Sequence, residues 1–210
     1  MKKIDNIRIN YNLDDLHIED LNRHPVNQFD LWFSQIPKKG DFNAVTLSTY
    51  SKLEGVRSRI VLLKDFNKNG FIFYTNYNSL KARQILYYNY VSLCFFWPEF
   101  QRQVRVYGVA EKISTRKSNL YFRQRPRKSQ IAAWASSQSE KVLSREQLMC
   151  NYNAIEKKFL NKNIPRPAFW GGFNIKPFSI EFWQGGLNRM HDRFLYEKKK
   201  NRWMITRLNP

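Results

Sequence analysis

Cysteine is almost absent: Cys94 and Cys150 are the only two. Two thiols cannot build a disulfide framework or a zinc site, so a reduced cytoplasm is the expected setting, with no metal. Long apolar runs are missing as well. No stretch approaches the length of a membrane span, and Met1-Lys2-Lys3-Ile4-Asp5 lacks the apolar core of a signal peptide, so no membrane association is expected. Glycine stands at only 8, and no internal repeat is visible. Acidic residues are scarce too: 17 Asp and Glu face 36 Lys and Arg, a formal net charge of +19. What remains is a chain of 210 residues, 42% hydrophobic and 16% aromatic, which excludes a disordered basic tail. It is long enough for one domain with a sizeable core.

The positive charge could attract nucleic acid, phosphate esters or acidic lipid. Yet it forms no single tract. Basic residues run from Lys2 to Arg207, with one short cluster at Lys198-Lys199-Lys200. Lys, Asn, Ile, Tyr and Phe are all abundant and share A/T-rich codons, so drift in base composition accounts for much of the surplus lysine. The expectation is a solvated basic surface without a specific nucleic-acid partner, carrying a few cations that hold phosphates.

Residues 1–23 are polar without a sustained apolar period and are expected to form a mobile arm; residues 24–210 form one domain. His24-Pro25 opens a helix whose apolar stripe is Phe29, Leu31, Trp32, Phe33 and Ile36, ended by Pro37 to Gly40. Strands are expected at 44–49, 57–65, 71–76, 91–97, 102–110, 180–183 and 202–208, with a hairpin turn at 67–70. Helices are expected after Ser79, capped by that residue, after Ser114 or Thr115, and over 143–160. Strands joined by hairpins, with helices inserted and not alternating, argue for a mainly β, antiparallel barrel with flanking helices.

Three places carry chemistry. Arg59-Ile60-Val61-Leu62-Leu63-Lys64 puts a cation at each end of an apolar strand, and the odd spacing sends the two to opposite faces. Tyr121, Arg125 and Ser129 offer a phenol, a charge and a hydroxyl to one phosphate, with Tyr121 and Arg125 on one helical face. Finally, Ile180 to Trp183 reads as a strand, Gly185-Gly186 as a turn with access to positive φ, and Arg189 and His191 share a face if the chain extends again. An always-charged guanidinium beside an imidazole suits a site that holds an anion and moves protons. By spacing alone, the same stretch is equally a charged surface hairpin.

The order Glu181-Phe182-Trp183, a short turn, then Arg189-Met190-His191-Asp192-Arg193 resembles the C-terminal signature of the pyridoxamine 5′-phosphate oxidases, and the likeness extends over nearly the whole chain. It implies a split β-barrel flavin-binding fold, assembled as a homodimer with FMN between subunits. The implied reaction is oxidation of pyridoxamine or pyridoxine 5′-phosphate to pyridoxal 5′-phosphate, with O2 reduced to hydrogen peroxide. The resemblance also assigns residues. Arg59 to Lys64, Tyr74, Thr75, Lys81, Gln103, Gln138, Ser139, Trp183 and Arg193 would bind FMN. Lys64, Tyr121, Arg125 and Ser129 would anchor the substrate phosphate, while Arg8 and Tyr11 would close over the site. Arg189 and His191 would bind the pyridine ring and assist proton removal. Leu80 departs from the family's usual Arg. The competing classes are a non-catalytic flavin binder, which would lack substrate residues, and a nucleic-acid binder, which rests on net charge alone.

Overall fold

The computed structural model describes residues 10–200 and 202–210. Nine antiparallel strands form one sheet: β1 (Ala44–Ser51), β2 (Gly55–Leu62), β3 (Asp65–Asn67), β4 (Gly70–Asn76), β5 (Tyr90–Trp97), β6 (Arg102–Lys112), β7 (Trp170–Gln184), β8 (Asp192–Lys199) and β9 (Arg202–Leu208). The order is β2-β1-β5-β6-β7-β4-β3, and β8 and β9 continue from β7. The chain leaving β2 curls back: Leu63 N–H donates to Asn43 O, and Lys64 N–H donates to Ile72 O in β4, each at 2.8 Å. That contact brings the two ends of the sheet together into a barrel.

Strand β7 organises the site. One edge pairs with β6 along its length, while the other pairs with β4 over Trp170–Ile175 and with β8 over Ser179–Gln184. The strand is too long for one partner, so it serves two. Period-two alternation is clearest in β6, where Val104 and Val106 enter the core and Gln103 and Arg105 stand on the other face.

The helix expected after His24 is α1 (Pro25–Gln35), and His24 caps it by accepting from Val26 N–H at 3.2 Å. Its buried Phe29 and Trp32 fill the barrel end against Phe66, Phe71, Phe95 and Phe182, whereas Leu31 is exposed. The remaining helices are α2 (Leu80–Tyr87), α3 (Thr115–Gln124), α4 (Arg127–Ala135) and α5 (Arg145–Lys158). Phe122, Ile131, Phe159, Ile164 and Trp170 make a second, smaller core that fixes α3 and α4 over the open end of β4.

Arg8 lies outside the described residues, and so does the start of the expected arm. From Asn10 onward the segment is fastened to the barrel. Asn12 and Leu13 N–H groups donate to Gln101 Oε1, Arg102 pairs with Asp14 at 3.0 Å, and Leu16 N–H donates to Asp192 Oδ2 at 3.0 Å.

Candidate active site

A cavity of about 430 Å³ opens between β2, β4, α3 and α4. Ile60, Val61, Leu62 and Lys64 form one wall, and Tyr74, Thr75 and Lys81 a second. Tyr121, Arg125, Ser129 and Gln138 face them, with Trp170 beneath. Strand and helix residues that sequence places far apart thus meet in one hollow.

Its two ends differ. At one, Lys81 Nζ donates to Thr75 Oγ1 at 3.3 Å, Ser79 Oγ at 3.3 Å and Gln138 Oε1 at 3.2 Å. Burial, helped by the charge of nearby Arg59, pushes the Lys81 ammonium down to about 8. Arg59 itself is not on the cavity wall; its guanidinium donates to Leu47 O at 3.1 Å and Thr49 Oγ1 at 2.6 Å. Ser79 stands at the N-cap of α2 but does not cap it, because its hydroxyl donates to Asn76 O at 2.7 Å. The first N–H groups of α2 therefore keep their capacity for an anion.

At the other end, aromatic rings form a shelf. Tyr74 stacks on Tyr121 at 3.8 Å and on Trp170 at 5.5 Å, and the Arg125 guanidinium lies 4.4 Å over the Trp170 ring. Burial pushes the Tyr74 phenol up to about 12 and raises Tyr121. Arg125 Nη1 is buried with no hydrogen-bond partner among the described residues, and burial lowers the guanidinium's pKa. Among the described residues, no carboxylate lies within ion-pair distance of Arg59, Lys64, Lys81 or Arg125. Cations without a carboxylate partner, one of them with a buried and open donor in Arg125 Nη1, fit phosphate oxygens.

A second group lies on the outer face of β6, β7 and β8. Gln103 is opposite Trp183, and Trp183 opposite Arg193. The His191 ring packs at 4.7 Å from Trp183, and Tyr11 meets both rings edge-on at 5.7 and 5.8 Å. A Cβ on Gly185 would come within 2.8 Å of the Tyr11 ring, so glycine is what lets the arm approach. His191 Nδ1 accepts from Gly186 N–H at 3.1 Å, which leaves the proton of the neutral ring on Nε2. Burial, Arg189 and Arg193 all lower the imidazole pKa, so the neutral form persists to more acid pH.

Several expectations need correction. Arg189 and His191 are not on an extended strand: Leu187–Arg189 is a 3-10 turn, with Asn188 and Arg189 at φ 52 and 65. The glycines do not take positive φ there; Gly186 is at φ −129, and close approach to Met190 O is what requires it. Arg125 is the C-cap residue of α3, at ψ 145, and reaches Tyr121's side from outside the helix. Leu63 points into the barrel core, because the chain turns at the end of β2. Ser139, at φ 75, is exposed and does not line the cavity. Sequence reasoning missed the Trp170 shelf; its signal was an aromatic directly before Gly171-Gly172, which admit Tyr77 and Tyr74 close to the strand.

Fold and hollow together define a class: an antiparallel split barrel whose cavity carries cations without carboxylate partners. Comparison with known proteins names it. Residues 38–157 match the family model described as pyridoxamine 5′-phosphate oxidase, and residues 170–210 match the pyridoxine 5′-phosphate oxidase C-terminal dimerisation region. The pyridoxine/pyridoxamine 5′-phosphate oxidase of Teredinibacter turnerae is 48% identical over 209 residues, 99% of both chains. That of Aliarcobacter butzleri is 46% identical over 208 residues, 98% of both. Among solved structures, PhzG from Burkholderia lata 383 in complex with tetrahydrophenazine-1-carboxylic acid is 25% identical. It aligns at TM-score 0.87 over 94% of this chain and 99% of its own. A pyridoxamine 5′-phosphate oxidase-related FMN-binding protein from Nostoc punctiforme shares the fold, at TM-score 0.70 and 13% identity over 94% of this chain and 100% of its own. The chain belongs to the pyridoxamine 5′-phosphate oxidase family.

Proposed function

We propose that this protein is an FMN-dependent oxidase of pyridoxamine 5′-phosphate and pyridoxine 5′-phosphate. It yields pyridoxal 5′-phosphate, with O2 as electron acceptor and hydrogen peroxide as co-product; the amine substrate also consumes one water and releases ammonia. The observation that carries the proposal is the buried, unpartnered Nη1 of Arg125 in a cavity that also holds Lys64 and Lys81. The relatives named above supply the substrate class. No helix among the described residues is long and apolar enough to cross a membrane, and the two free thiols suit a reducing cytoplasm.

Two phosphate-bearing ligands would share the hollow. The Lys81 end, with Thr75, Gln138 and the α2 N-terminus, fits the phosphate of FMN, and Arg59 behind it adds positive charge. Ile60, Val61, Leu62 and Tyr74 would lie along the rest of that molecule, and Leu63 offers backbone only. Lys64, Tyr121, Arg125 and Ser129 would hold the substrate phosphate. Arg189 and His191 are absent from this cavity, so they would come from a second copy, as would Gln103, Trp183 and Arg193. The matched dimerisation region supports that assembly, and so do Val56, Ile60 and Phe96, apolar and 68%, 63% and 53% exposed in one copy.

The chemistry that FMN supplies when bound is hydride acceptance from the substrate's C4′ and electron delivery to O2. The chain's own part is to fix C4′ in position and keep water out. His191, its Nδ1 occupied by Gly186, presents Nε2–H as a donor to a substrate oxygen. In this tautomer it orients the ring and does not take the proton. Arg189 adds a permanent charge beside it.

Phosphorylated vitamers should be turned over with hydrogen peroxide release, while pyridoxine and pyridoxamine should show KM values raised about a hundredfold or more. Equal KM values with and without the phosphate would refute the substrate class.

Lys81 gives a pH signature. Its folded pKa, about 8, lies below the ordinary 10.5, so between these values the unfolded chain binds more protons. Ligand-free stability contributed by this group therefore rises with pH across that window. Affinity for FMN moves the other way, because the ammonium is lost. FMN titrations should weaken several-fold between about pH 7 and about pH 9, and Lys81→Met should remove that dependence. A parent profile that is flat through this range would show that Lys81 does not meet the phosphate.

A further inference from the structure

Behind the Gln103–Trp183–Arg193 row runs a second row on the same sheet face: Cys94 opposite Arg105, and Arg105 opposite Glu181. Glu181 is a carboxylate with only 4% of its side chain exposed. It is shared. Oε2 accepts from Arg105 Nη2, and Oε1 accepts from Arg193 Nε at 3.0 Å. Arg193 Nη1 in turn donates to Asn209 O at 2.7 Å, so its guanidinium is held from two sides. Arg105 Nε is buried without a partner among the described residues, and the Cys94 thiol opposite donates to Gln103 Oε1 at 3.6 Å. Neutralising one buried carboxylate takes one cation; this one has two. The bridge therefore carries one net positive charge directly beside the row that would meet the flavin.

We propose that Glu181 is a positioning residue that fixes Arg193, and that the Arg105–Glu181–Arg193 bridge sets the local charge acting on the bound flavin's redox balance. The inference rests on the reading that Arg193 faces FMN. The physics is simple: two-electron reduction adds negative charge to the flavin ring, so nearby positive charge favours the reduced form and nearby negative charge opposes it. Low effective dielectric keeps this influence strong at short range. Glu181→Gln leaves two cations without their anion, raising the local charge. Arg105→Met leaves Glu181 paired with Arg193 alone, bringing the local charge to zero. The double variant returns it to the parent's value. Orientation follows a different pattern, because only loss of Glu181 frees Arg193.

The test is the midpoint potential and the FMN dissociation constant of parent, Glu181→Gln, Arg105→Met and the double variant. The potential should shift positive in Glu181→Gln, shift negative in Arg105→Met, and return toward the parent in the double variant. FMN affinity should fall several-fold in Glu181→Gln and stay within about twofold in Arg105→Met, because a charge that does not touch the ligand acts on it only weakly across solvated distance. A purely structural role predicts no opposed signs. If Glu181→Gln fails to retain flavin, the Arg105→Met potential decides alone: a negative shift upholds the proposal, and no shift overturns it. Shifts of the same sign in both single variants overturn it as well. A parent that binds no flavin overturns the reading of the site and this inference with it.

Discussion

Replacing Arg125 with leucine should lower kcat/KM for pyridoxine 5′-phosphate by about 10- to 100-fold, almost entirely through KM. A hydrogen bond to a charged group is worth about 1.5–3 kcal/mol, and each 1.4 kcal/mol is about tenfold. Nη1 of Arg125 makes no hydrogen bond among the described residues, so its contribution would be realised with ligand present. Stability should respond differently. The buried guanidinium costs desolvation energy that leucine does not, and this offsets the lost cation–π contact with Trp170, worth about 1–2 kcal/mol in a partly desolvated site. Thermal unfolding of the ligand-free variant should therefore match the parent within a few degrees, and FMN affinity should be unchanged. Steady-state kinetics with a melting curve on the same sample decide it. An unaltered KM would mean that Arg125 serves the second core and not the substrate.

Subunit mixing should show a larger effect. If each site takes Arg125 from one copy and Arg189 from the other, an Arg125→Leu homodimer and an Arg189→Leu homodimer are both impaired at every site. A heterodimer of the two carries one site with both defects and one with neither. Its activity should recover to roughly half that of the parent, well above either homodimer. The cavity wall includes Arg125 but neither Arg189 nor His191, which is what the split predicts. Differently tagged copies, co-expressed and purified through both tags, give the measurement. No recovery above the homodimers would place both residues in one subunit's site.

Much of this was legible in the sequence because the signals were local. The His24-Pro25 start, the two-residue turn between Asn67 and Gly70, and the alternation along β6 each depend on neighbours within a few positions. Strand β8 was hidden because Lys198-Lys199-Lys200 reads as a solvated run, although Phe194 and Tyr196 enter the core just before it. The turn at Asn188 and Arg189 is not legible in the sequence, because glycine is the residue that ordinarily takes positive φ. Here the glycines serve close packing and the non-glycine residues take the left-handed backbone. Pairings across large separations left no trace: Asp14 with Arg102, Leu16 with Asp192, and Arg105 with Glu181. No period or spacing links such residues. Only the folded sheet, with β7 dividing one edge between β4 and β8, brings them together.

The most direct measurement is anaerobic mixing of the purified protein with pyridoxine 5′-phosphate while its visible spectrum is followed. The protein should be yellow, its flavin band should bleach in a single turnover, and admission of air should restore the band. Pyridoxal 5′-phosphate and hydrogen peroxide should then be present in equal amounts. A colourless protein that takes up no FMN, or a bound flavin that stays oxidised at saturating pyridoxine and pyridoxamine 5′-phosphates, would contradict the proposed oxidase activity.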